Sequence, residues 1–176
     1  MVRVGILGSV GSGKTFIANV FKDLSFNIFS ADNEVANIYK NKINKQDLRV
    51  SLKKNPKKFK FLNKTIHPIV RKRLAIFLSR FKKNKLVVLD IPLLVENKML
   101  NFVDILVLVK TRSNSFLSRI KKRKNLDKQF LNILKKQQAS EKIKEGYADF
   151  IIYNSSKNKV KLQVKNIIDK ILLIND

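Results

Sequence analysis

Five short runs of apolar, mostly β-branched residues punctuate the chain: Val2–Leu7, Phe26–Phe29, Leu86–Leu89, Ile105–Val109 and Phe150–Tyr153. Each is nearly continuous rather than alternating, which is how a strand reads when both of its faces are covered. Between the runs the apolar positions take up the helical period, over Lys14–Leu24, Ile66–Phe81, Asn114–Lys124, Lys128–Glu145 and Lys159–Leu173. Strands alternating with helices predict an α/β fold, a three-layer core around a five-stranded parallel sheet with right-handed crossovers.

Two stretches lack a strand and carry the densest charge, residues 33–85 and 112–145. Both are too long for simple connections. The first reads as a helical substrate-binding insertion and the second as a helical lid, on a single-domain core made of 1–32, 86–111 and 146–176. The alternative makes both of them ordinary solvated crossover helices. Within the first, Pro56 is expected to break a helix and Pro68 to start one. No internal repeat and no linker rich in Gly, Pro or Ser divides the chain.

The junction of the first strand and first helix carries the sharpest chemical signal. Gly8-Ser9-Val10-Gly11-Ser12-Gly13-Lys14-Thr15 fits G-x-x-x-x-G-K-[ST], the phosphate-binding P-loop. Glycines let the backbone wrap closely around phosphate oxygens. Consecutive amides and the helix N-terminus supply partial positive charge. Lys14 reaches for the β- and γ-phosphates of ATP and the Thr15 hydroxyl for Mg2+. An apolar run before the motif and an amphipathic one after it give the pattern its required context.

Carboxylates at the other strand ends complete the expectation. Asp32 follows the second strand, where it either accepts a proton from an attacking hydroxyl or caps the next helix. Asp90 ends the third apolar run, the Walker-B arrangement in which a carboxylate holds magnesium directly or through water. Pro92-Leu93-Leu94-Val95-Glu96 follows at once, as a lining for an acceptor pocket or as a tight strand exit with a capping Glu. His67, the only histidine, is expected at the start of a helix as an acceptor contact or as a structural side chain. Arg119 and Arg123 are four apart and share a helix face, suited to clamping a transferring phosphate. Lys144 approaches from the far end of the lid. Asn154 lies in the loop after the last strand, where loops commonly surround a nucleotide base.

Charge widens the field before the motifs narrow it. Lys and Arg number 38 against 13 Asp and Glu, a formal net charge of +25 that attracts polyanions. The excess is mostly lysine, accompanied by abundant Asn, Ile and Phe, the bias that AT-rich codons give. The lysines recur along every polar face, and no nucleic-acid motif accompanies them, so no nucleic-acid partner is expected. Cysteine is absent, which removes disulfides, thiol catalysis and cysteine-bound zinc and fits a reducing cytoplasm. No apolar stretch approaches the ~20 residues of a membrane span, and the N-terminal run is too short for a signal peptide.

Taken in order, these motifs resemble the dephospho-coenzyme A kinase family nearly end to end. Ser30-Ala31-Asp32 stands at its D-A-D, His67-Pro68 at its H-P, and Pro92-Leu93-Leu94-Val95-Glu96 at its P-L-L-x-E. Gln138-Ala139-Ser140, Lys144, Ala148-Asp149 and Asn154 match its lid-to-last-strand signature. The resemblance implies ATP-dependent phosphorylation of the ribose 3′-hydroxyl of dephospho-CoA; the protein is expected in the cytoplasm, as a monomer or weak homo-oligomer. It implies Asp32 as base, Lys14 as the P-loop lysine and Arg119 as the lid arginine that steadies the transferring phosphate. Leu7 replaces a common threonine, Ser30 the first aspartate of D-A-D, and Phe116 a common lid glutamine. The alternatives are another small-molecule kinase, of nucleotides or shikimate, and a nucleic-acid-dependent NTPase.

Overall fold

The computed structural model describes residues 1–40, 56–96, 99–111 and 138–175. The elements run β1 (Val2–Leu7), α1 (Lys14–Asp23), β2 (Asn27–Ser30), α2 (Ala31–Lys40), α3 (Pro56–Arg80) and β3 (Leu86–Asp90). A 3-10 turn (Leu100–Phe102) follows, then β4 (Ile105–Lys110), α4 (Glu141–Tyr147), β5 (Phe150–Tyr153) and α5 (Lys157–Asn175). All five predicted strands form, with β1 and β5 at the predicted residues and the others within one residue of them. They make one sheet in the order β2-β3-β1-β4-β5, and the β1–β3, β1–β4 and β4–β5 pairs are parallel.

For β1, β3 and β4 the near-continuous apolar runs are explained by what covers each face, whereas in the outer strands β2 and β5 only Phe29 and Ile152 are buried. Val2, Val4 and Ile6 of β1, Leu86 and Val88 of β3, Val107 and Val109 of β4, and Ile152 of β5 point to one side. There they meet Ile17, Val20 and Phe21 of α1 and Val160, Val164, Ile168 and Ile171 of α5. The alternate positions Val87, Leu89, Leu106 and Leu108 are buried as well. On the face of Gly5, a built Cβ would lie within 3.3 Å of Leu94, Val103 and Leu106. Arg3 and Asp104 tie β1 to the entry of β4: the Arg3 backbone N–H and guanidinium donate to the Asp104 carboxylate, and the Asp104 N–H donates back to the Arg3 carbonyl.

By contact the chain divides into two compact units, Met1–Ile28 with Lys83–Asp176, and Phe29–Lys82. The second is built on α2 and α3. Phe29, Ala31, Ile38, Ile66, Val70 and Leu74 are its buried apolar residues among those described. Phe77 stacks at an angle on both Phe29 and Phe81, with ring centroids 5.5 and 4.9 Å apart. Arg73 pairs with Glu34 at 2.5 Å and joins the two helices.

Three local expectations change. Pro56 is the first residue of α3, with the residues before it, where a helix was expected to break, outside those described, and Pro68 lies inside α3 instead of starting a helix. At the first helical position the missing proline N–H costs nothing, whereas at Pro68 a backbone bond is given up within an otherwise continuous helix. The helix expected over Lys128–Glu145 does not run through its described end. Gln138–Ser140 are non-helical, and Ser140 caps α4 by accepting the Ile143 N–H at 3.3 Å. Helix α2 was not read as an element of its own. Its first described turn is marked only by Ser30, Asp32 and Glu34.

Candidate active site

The P-loop leaves β1, which β3 and β4 flank. The carboxyl end of such a central strand is where open parallel sheets bind their ligands. Its glycines are there for two separate reasons. Gly8 has φ +152, and a Cβ on it would come within 2.5 Å of the Ser12 hydroxyl and 2.9 Å of the Val109 carbonyl. Gly13 has φ 97, in the left-handed region, and this turns the chain straight into α1 without a side-chain cap. The first amides of α1 are thereby left to face a ligand.

The loop is held from three sides. Lys14 Nζ donates to the carbonyls of Gly8 at 2.7 Å and Ser9 at 3.2 Å, so its ammonium lies against the loop it belongs to. Buried Asn154, just past β5, donates its side-chain N–H to the Ser12 carbonyl at 2.7 Å. Gln138 accepts the Val10 N–H with its Oε1 at 3.0 Å. Expected beside a nucleotide base, Asn154 turns its amide to the loop itself. Among the described residues a cavity of about 530 Å3 opens here, lined by Ser9, Val10, Ser12, Lys110, Gln138 and Ser140 with their neighbours.

Charge around this cavity is paired. Lys110, at the end of β4, sits against Glu145 and 3.7 Å from Glu141 on α4. The hydrogen bond to Glu145 holds its ammonium above the usual lysine range. Farther down the sheet, the hydrogen bonds from Arg3 hold the Asp104 carboxyl below the usual carboxylate range, against a smaller opposing effect of burial.

Asp90 is the last residue of β3 and is buried. The turn after it bends sharply at Leu93, whose φ of 58 is strained for a leucine. That bend tucks Leu94 into the core at 1% exposure. Pro92, Leu93, Leu94 and Glu96 line a small cavity together with Gly8, Lys14, Gln138 and Lys144. Glu96 Oε1 accepts the Ala139 N–H at 2.7 Å and lies 3.5 Å from Lys144 Nζ. Neither Gln138–Val10 nor Glu96–Ala139 was read from the sequence. Their only advance signal was that Gln138-Ala139-Ser140 and P-L-L-x-E both belong to the family signature.

Asp32 and His67 lie in the other unit, and both are exposed. Because α2 begins at Ala31, Asp32 falls in the first turn and not at the cap. Ser30 takes the capping contact, accepting the Asn33 N–H at 3.4 Å. Asp32 and Glu34 place negative charge where the helix dipole favours it. His67 lies well inside α3 and not at its start. Arg119, Arg123 and the expected helix over Asn114–Lys124 lie outside the described residues.

A phosphate-binding loop at the tip of the central strand of a parallel β2-β3-β1-β4-β5 sheet, with a buried acid ending the adjacent strand, is the architecture of the P-loop kinases. The family model for dephospho-CoA kinase matches residues 35–159, a span that excludes the P-loop and so adds independent information. The chain belongs to the dephospho-CoA kinase family. It is 30% identical to the dephospho-CoA kinase of Bartonella henselae over 172 residues, covering 86% of this chain and 88% of that one. Among solved structures it resembles TT1252 from Thermus thermophilus, with a TM-score of 0.80 at 23% identity over 96% and 97% of the two chains. It also resembles dephospho-CoA kinase from Campylobacter jejuni, with a TM-score of 0.65 at 23% identity over 96% of each chain.

Proposed function

We propose that this chain transfers the γ-phosphoryl group of ATP to the ribose 3′-hydroxyl of dephospho-CoA, giving coenzyme A and ADP. The observation that carries the reading is the P-loop, pinned by Asn154 and Gln138 and opening on a cavity of nucleotide size. Family membership supplies the acceptor.

In this mechanism the loop amides and Lys14 hold the β- and γ-phosphates. The 3′-oxygen attacks the γ-phosphorus in line, the bond from that phosphorus to the β–γ bridging oxygen breaks, and the hydroxyl proton passes to Asp32. Exposure of Asp32 in the first turn of α2 suits a base that must meet a substrate hydroxyl. Arg119, with Arg123, neutralises charge on the transferring group. His67 and the turn Pro92–Leu94 contribute to the acceptor side.

No group of three or more His, Cys, Asp or Glu among the described residues could hold a metal alone. That fits an ion carried in by the nucleotide, because Mg2+ in such sites takes one or two protein oxygens and completes its shell with phosphate and water. Thr15 and Asp90 would hold it, and it would supply charge neutralisation across the β- and γ-phosphates. The same reading makes the protein a cytoplasmic enzyme of small molecules, a monomer or weak homo-oligomer with no nucleic-acid partner. No helix among the described residues is long and apolar enough to cross a membrane.

The test is an incubation with ATP, Mg2+ and dephospho-CoA, followed by mass analysis. One ADP per coenzyme A is expected, with the new phosphate on the 3′-oxygen. ADP formed equally fast without the acceptor, or only with shikimate or a nucleoside monophosphate, would replace this reading.

A further inference from the structure

Beside the phosphate loop, one charged pair is largely sealed from water. Lys144 of α4 keeps 3% of its side chain exposed and Glu96, in the turn after β3, keeps 14%. The ammonium lies 3.5 Å from Glu96 Oε1 and has no hydrogen-bond partner among the described residues. Such a pair is a poor source of stability, because desolvation offsets most of its attraction. Its best-attested use is to fix how two segments register against each other.

The segments in question converge on the P-loop. Three consecutive residues are each tied to a different element. Gln138 Oε1 accepts the Val10 N–H of the loop. The Ala139 N–H donates to Glu96 Oε1. Ser140 caps α4, the helix that carries Lys144. Glu96 is therefore the hub, holding this strap directly through Ala139 and again through Lys144. Lys14 and Lys144 also line one small cavity of about 10 Å3, against Gly8 and Glu96. Without the Glu96 charge, the buried Lys144 ammonium would lose its ion-pair partner. Of the two roles expected for Glu96, acceptor lining or a capping Glu at the strand exit, its bond from the Ala139 N–H bears on the second and leaves the first a proposal.

We propose that Glu96 and Lys144 are positioning residues for ATP: their buried pair sets the strap Gln138–Ser140, through which Gln138 holds Val10 and the curvature of the phosphate loop. This deepens the kinase reading and rests on it. The pair acts through Gln138, whose side chain reaches the loop from 128 positions away in sequence.

The experiment measures the Kd for MgATP by calorimetry, with the thermal midpoint, in Glu96→Gln, Gln138→Ala, Lys144→Met and two double variants. Glu96→Gln keeps the side-chain shape and an acceptor for Ala139 but leaves Lys144 uncompensated. It is expected to weaken ATP about fivefold or more and to lower the midpoint. Gln138→Ala removes only the last link and is expected to weaken ATP about fivefold with the midpoint close to wild type. The Glu96→Gln/Gln138→Ala double should bind ATP no worse than the weaker single, because both changes break one route. Lys144→Met added to Glu96→Gln should recover the midpoint. An unchanged Kd in Gln138→Ala overturns the proposal even if Glu96→Gln fails to fold. So does a lowered midpoint in Glu96→Gln with unchanged ATP affinity, or multiplication of the two effects in the double. Because ATP binding is read without an acceptor, failure to phosphorylate dephospho-CoA leaves this test intact.

Discussion

The two compact units hold themselves together by different means. In the sheet unit every residue of β3 is buried, and Val4, Ile6, Val88 and Val107 have no exposure at all. Parallel ladders fix that backbone on both sides of β1, and helices and turns cover its faces. Among its described residues, the unit Phe29–Lys82 has no such ladder between its helices. It relies on the Phe29, Phe77 and Phe81 rings, the Arg73–Glu34 pair and a few buried aliphatics of α2 and α3. The division matches the chemistry proposed for each. A phosphate cradle must be held to within tenths of an ångström, which a two-sided sheet supplies. A unit bearing the base and acceptor contacts can be specified by side-chain pairs, and these are easier to change.

The largest expected effect probes that contrast in stability. Phe21 is fully buried between α1 and the sheet, and Leu74 is fully buried in α3. Phe21→Ala is expected to cost about 3–5 kcal/mol and to unfold the sheet unit as a whole. Leu74→Ala, costing about 2–5 kcal/mol, should speed hydrogen exchange in Phe29–Lys82 while β1, β3 and β4 stay protected. Equal loss of protection in both units would show that they do not unfold separately.

Next in size is the separation of anchor from base. Asp32→Asn should lower kcat by about 10²-fold or more and leave the KM for ATP nearly unchanged, because a base acts in the transition state and the anchor does not use it. A variant with wild-type turnover would remove Asp32 from the mechanism. A raised KM for ATP with unchanged kcat would make it part of the anchor.

The smallest effect concerns the seam between β1 and the entry of β4. Hydrogen bonds from Arg3 depress the Asp104 carboxyl, so its contribution is present above the ordinary carboxylate range of about 4 and is lost as pH falls through the lower folded value. The pair is partly exposed, and solvent screening keeps its contribution below about 1 kcal/mol. Asp104→Asn should therefore lower the thermal midpoint slightly at pH 7, with the gap to wild type closing toward pH 3. A gap that widens on acidification would show that the carboxylate is not the stabilising form.

Much of this was legible in advance, for identifiable reasons. A strand buried on both faces must be apolar at nearly every position, so β1, β3 and β4 stood out in one dimension; the β5 run is as apolar, yet only Ile152 of it is buried while Ile151 and Tyr153 are exposed. Gly8, Gly13, Lys14 and Thr15 are contiguous, and contiguity is what a sequence reports best. Helix α2 was harder to see, since only the capping Ser30 and two of its own side chains, Asp32 and Glu34, mark the first turn and its apolar face is short. Pro68 misled because proline's local preference is against a helix interior, and the rest of α3 outweighs one lost backbone bond. Ser30, read as a departure from an acidic motif, proved to be the cap of α2.

By itself, the order of residues determined the alternation of strands and helices, the position of the phosphate loop and the acids at the tips of β2 and β3. These follow from periodicity and from steric rules that act over a few neighbouring residues. Only the tertiary structure decided that Gln138 meets Val10, that Asn154 turns to Ser12, and that Glu96 faces Ala139 and Lys144. Those partners lie far apart along the chain, and any of several polar side chains could have filled each place. Which one did depends on where the parallel sheet delivers the ends of β1, β3, β4 and β5.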